Sequence, residues 1–101
     1  MASPTFGQFW VMATEAGFQM RGRNVPSGHG GKDRGVMIDM IPLPRKGDRK
    51  RDITARVERA IDWIIANGGV CDHAVEKDGH LVFRGAILGM WFTIQTPDIW
   101  R

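Results

Sequence analysis

Apolar residues at Phe6, Phe9, Trp10 and Ala13 recur at helical spacing and form one stripe, which predicts a first helix over about Thr5–Ala16. Ser3 or Thr5 supplies its cap, Pro4 suits its entrance and Gly17 its end. Phe18 to Val25 reads as a strand weakened by Arg21-Gly22-Arg23, and Val36 to Ile41 (VMIDMI) as a second, closed by Pro42 and Pro44. Between them, residues 26–35 (PSGHGGKDRG) hold four glycines in ten positions and form a flexible loop. The most regular pattern is Ile53, Val57, Ala60, Ile61, Ile64 and Ile65, a core-facing helix over Ile53–Ala66 with Asp52 as its N-cap and Asn67-Gly68-Gly69 at its end. A basic linker, residues 42–52, leads into it. Val70–Glu76 and His80–Arg84 flank Asp78-Gly79, a strong hairpin signal whose register pairs His73 with Arg84 and Lys77 with His80. Met90–Gln95 (MWFTIQ) is a last strand, with Gly85 and Gly89 allowing a bulge or turn before it.

The predicted order is therefore α-β-β-α-β-β-β. The fold class is α+β: a single domain over residues 1–101, with two helices packed on one face of an antiparallel sheet. Shifting the chain by 51 residues places Phe6, Trp10, Ala13 and Gly17 on Val57, Ile61, Ile64 and Gly68, a faint repeat that any two amphipathic helices produce.

Composition leaves that picture unchanged. Hydrophobic residues make up 43% and charged residues 25%, enough for a small core in a chain of 101 residues. No apolar run reaches the roughly 18 residues of a membrane span, and the first residues do not read as a signal peptide. Cys71 is the one cysteine, which excludes an internal disulfide and multi-cysteine zinc sites and fits a reducing, cytoplasmic setting.

Charge is unevenly spread along the chain. Eleven of the fourteen Lys and Arg residues lie between Arg21 and Arg59, with five acids among them, so this stretch carries +6 and the remainder −3. Such a split points to an anionic partner or an acidic surface. The cations fall into three groups: Arg21 and Arg23 on a strand, Lys32 and Arg34 in the Gly-rich loop, and a run from Arg45 to Arg59.

The chemistry-bearing patterns are incomplete. GHGGKD has Lys32 after two glycines, but a phosphate-binding loop needs a glycine where Pro26 stands and a Ser or Thr where Asp33 stands. Cys71 and His73 share a strand face, yet same-face neighbours lie roughly 6–7 Å apart, too far for a nucleophile–base hydrogen bond. His29, Asp33, Asp72, His73 and His80 lack metal-ligand spacing. Glu58 and Asp62 share a solvated helix face, with Arg59 beside them. No full catalytic site, metal site or cofactor site assembles, and the chain reads as a non-enzyme.

What remains is one flank of the second helix. Arg56, Arg59 and Trp63 line it at i, i+3, i+7, with Trp63 well away from the centre of the apolar stripe. Upstream stand Arg45, Lys46, Arg49, Lys50 and Arg51. Cations that neutralise phosphates beside an aromatic that stacks on an unpaired base are the requirements of nucleic-acid binding. The first expectation is thus a small DNA- or RNA-binding module that holds the backbone, with Lys32 and Arg34 closing from the loop. The alternative is a protein-interaction or inhibitor protein, of the phage type, that docks on an acidic surface of a nucleic-acid-processing enzyme. Four Trp, five Phe and six Met are many for so small a core, and exposed Trp91 or Trp100 would provide a patch for a partner or a homodimer.

Overall fold

The computed structural model describes residues 4–26, 34–43, 45–77 and 80–96. Helix α1 (Phe6–Glu15) leads into β1 (Phe18–Pro26) and β2 (Arg34–Pro42). Helix α2 (Lys50–Ala66) precedes β3 (Val70–Lys77), β4 (His80–Ile87) and β5 (Met90–Gln95). The α+β class and the order of elements are those predicted.

Thr5 caps α1 through a reciprocal pair: its hydroxyl accepts from the Gln8 amide (3.1 Å) while the Gln8 side chain accepts from the Thr5 amide (2.8 Å). Helix α2 starts earlier than expected. Arg49 occupies the cap position, and Asp52, three residues on, reaches back to accept from the Arg49 amide at 2.9 Å. The acid is the one the sequence singles out, but it works from inside the first turn. Gly17 and Gly68 follow the two helices at φ +84° and +86°.

The five strands form one sheet in the order β1-β2-β5-β4-β3. The pairs β1–β2, β3–β4 and β4–β5 are antiparallel, but β2 and β5 run parallel, so the sheet is mixed and not antiparallel throughout. The last strand turns inward between β4 and β2. It has the residues for a central place: Phe92, Thr93 and Ile94 are all buried.

Both helices cover one face. Phe9, Met12, Ala13 and Ala16 of α1 and its end meet Ile53, Val57, Ala60 and Ile64 of α2 over Ile38, Met40, Phe92 and Ile94 of the central strands. Full burial of the Phe, Met, Ile and Val side chains among them contributes about 1.5–3 kcal/mol each. The buried stripe of α1 is rotated from the expected one. Phe6 and Trp10 stay 45% and 42% exposed, with ring centroids 5.7 Å apart.

The hairpin register is as read from Asp78-Gly79: His73 pairs with Arg84 and Lys77 with His80. A bulge between Cys71 and His73 breaks the alternation, so they do not share a face. Cys71 pairs with Gly85 on the helix-facing side and packs against the core, whereas His73 holds a register position on the opposite face. The geometry assumed for a Cys–His pair is therefore removed.

Candidate nucleic-acid interface

Residues 45–48, between β2 and α2, form a compact turn. The Asp48 amide donates to the Arg45 carbonyl (3.0 Å), the Asp48 carboxylate accepts from the Arg45 amide (3.0 Å), and Gly47 adopts φ +85°. The Arg45 guanidinium lies over Gly17, where a Cβ would fall 2.6 Å from its Nη2. The Leu43 amide donates to the Gly17 carbonyl at 2.8 Å, tying the segment to the end of α1.

The acids of this segment are consumed by its own architecture. Asp48 also accepts from Nη1 of Arg56 (3.1 Å), and Asp52 holds the start of α2. Arg45, Lys46, Arg49, Lys50 and Arg51 are all exposed. Arg51 lies 3.9 Å from Asp52, a loose surface pair worth little. The result is an outward-facing cationic cluster at the N-terminal end of a 17-residue helix, where the helix dipole adds positive potential.

Two predicted contact residues play other parts. Arg56 is buried at 9% exposure; Nη1 holds Asp48, and Nη2 donates to the Leu43 carbonyl at 2.8 Å. It clamps the basic turn onto α2 and is not available to a partner. Trp63 does not stand free in solvent as the helix wheel suggests. It is half-buried and packs against Phe9 of α1, with ring centroids 6.1 Å apart. The second helix extends the core beyond the stripe that its own sequence shows. Arg59 is exposed and reaches towards Glu15 of α1 at 3.5 Å. It borders a groove of about 660 Å³ between the helices, which Gln8, Met12, Trp63 and Asn67 also line. Glu58 and Asp62 are exposed, as the helix wheel predicts.

Of the loop cations, Lys32 lies outside the described residues, and Arg34 opens β2 by pairing with Pro26. Arg45, Lys46, Arg49, Lys50 and Arg51 are thus exposed along one short stretch, whereas Arg56 is buried beneath it and Trp63 is packed on Phe9 at the edge of the inter-helix groove.

The opposite face of the sheet carries a second group. Arg21, Asp39, Thr93 and Arg84 occupy matched register positions across β1, β2, β5 and β4. Asp39 is 6% exposed; it accepts from Arg23 Nε (2.9 Å) and from the Thr93 hydroxyl (2.7 Å). In the next row Met37, Trp91 and Ala86 stand side by side. Period-two alternation places Trp91 opposite Phe92, but the strand order that sets it among arginines is not visible in the chain.

Among the described residues, no group of three or more His, Cys, Asp or Glu side chains could hold a metal ion. No helix among them is long and apolar enough to cross a membrane. Comparison with protein families, with curated proteins and with solved structures finds no match to this chain.

Proposed function

We propose that this protein is a small nucleic-acid-binding module that holds the phosphate backbone of DNA or RNA through Arg45, Lys46, Arg49, Lys50 and Arg51. One observation carries the reading: within the basic turn the acids are engaged in capping and in the Arg56 clamp, while the cations face outward. A phosphate arriving there meets several cationic side chains together with the positive end of α2. The ligand set consists of point charges and forks on a turn, with no element shaped for a groove. It supports backbone recognition without base readout. Arg59, tethered loosely to Glu15, stands at the margin of this surface and adds less.

The test is an electrophoretic shift at low salt with the triple variant Arg49→Ala, Lys50→Ala, Arg51→Ala. Affinity should fall at least tenfold, and by the same factor for unrelated sequences, because phosphate contacts carry no sequence information. Unchanged affinity in the folded variant would refute the assignment.

The alternative, a docking or inhibitor protein, draws on the α1 surface. Phe6, Trp10 and Val11 are exposed there at 45%, 42% and 54%. It is tested by Phe6→Ala, Trp10→Ala. Loss of a protein partner that survives nuclease treatment, with nucleic-acid affinity intact, favours docking. Absence of any such partner favours the backbone reading.

A further inference from the structure

The helix-free face of the sheet presents an exposed aromatic, Trp91, together with Arg21, Arg23 and Arg84. Trp91 is 39% exposed and borders a shallow recess of about 380 Å³, lined also by Met37, Val70, Ala86 and Arg84. Register puts Ala86 and Met37 directly beside Trp91, with Arg84 two residues along β4, on the diagonal, and Arg23 beyond Met37 on β1. Arg21 and Arg84 occupy one row of positions three strand spacings apart, about 14 Å. Arg21, Arg23 and Arg84 are exposed. Among the described side chains of this face the one acid is Asp39, buried and already engaged by Arg23 and Thr93. The face is thus apolar and aromatic at one end and positive across its middle.

We propose that this face receives single-stranded nucleic acid, with a base stacked on Trp91 and the backbone held by Arg84 on one side and Arg21 and Arg23 on the other. The proposal rests on the nucleic-acid reading above and names the strand state that the protein prefers. Charge complementarity selects the occupant. A second copy seated isologously would set arginines against arginines, which costs affinity. A polyanion with π-faces satisfies both the cations and the exposed indole. Base pairs within a duplex keep their π-faces stacked and leave Trp91 without a partner, so duplex gains from the basic turn alone.

The experiment measures fluorescence anisotropy of a labelled oligothymidylate and of a duplex of equal length, at one low salt concentration. It compares wild type, Trp91→Ala, Trp91→Phe and the Arg49/Lys50/Arg51 triple alanine variant. Trp91→Ala should weaken the single strand about tenfold and leave duplex affinity unchanged. Trp91→Phe should retain most of the single-strand affinity and controls for folding. The triple variant should weaken both ligands. If both Trp91 variants bind the single strand like wild type while the triple variant loses both ligands, the sheet-face proposal fails and the backbone reading stands. If wild type binds neither ligand, both fail. A dimer in light scattering that Trp91→Ala dissolves would assign the face to a second copy and overturn the proposal.

Discussion

Arg49 and Arg56 sit seven positions apart and serve opposite ends. Arg49 caps α2 with its backbone and leaves its guanidinium in solvent, whereas Arg56 is sealed between Asp48 and the Leu43 carbonyl. Removing a buried charged partner strands the other, so Arg56→Ala should destabilise the fold by about 3 kcal/mol. Arg49→Ala, at an exposed position, should change stability by less than about 0.5 kcal/mol. Chemical denaturation of the two variants checks this; equal costs would contradict the division of roles. At this scale the sequence is a partial guide. It marks the basic run from Arg45 to Arg51 but does not separate the buried Arg56 from its neighbours, because helical spacing alone does not reveal that the preceding turn folds back over it. For the same reason Trp63 reads as solvent-facing: its partner, Phe9, belongs to the other helix. On α1, Phe6-Phe9-Trp10-Ala13 and Phe9-Met12-Ala13-Ala16 are both acceptable stripes, and tertiary packing selects the second.

The elements themselves are far more legible. Their order follows from period-3.6 and period-2 patterns bounded by glycine and proline, and the β3–β4 register from Lys77–His80 to His73–Arg84 is the one that the Asp-Gly signal in the sequence predicts. Nothing in the β3 sequence marks the bulge at Cys71/His73, although Gly85 on the facing strand stands beside it. Gly85 opposes Cys71, and a Cβ there would meet the Val70 carbonyl and lie 2.5 Å from the Phe92 ring. Gly89 differs: it has φ +73° and open space where a Cβ would sit, so its demand is purely conformational. Gly85→Ala should therefore cost about 3 kcal/mol through overpacking, and Gly89→Ala about 1 kcal/mol through a left-handed backbone. Thermal unfolding of the two variants compares them directly. A larger loss at Gly89 would mean that the turn, not the packing under Phe92, limits this end of the sheet.

For the whole molecule, strand order decides which charges act together. Nothing local says that β5 inserts between β2 and β4, and that insertion places Trp91 and Arg84 on the same face as Arg21 and Arg23. The +6 segment of the chain is therefore not one surface in three dimensions. Among its described residues, one group forms an outward-facing turn at the start of α2, and Arg21 and Arg23 lie on the opposite side of the sheet, joined there by Arg84 from outside the segment. The backbone reading depends on the first of these, and it has a thermodynamic signature. Counterion release makes log K fall linearly with log salt, by about 0.9 per phosphate neutralised on duplex DNA. The most direct measurement is that slope for wild type and for the Arg49/Lys50/Arg51 triple alanine variant on duplex DNA. A steep wild-type slope that becomes shallower by about three in the variant is the predicted result. Parallel slopes, or affinity that does not respond to salt, would contradict it.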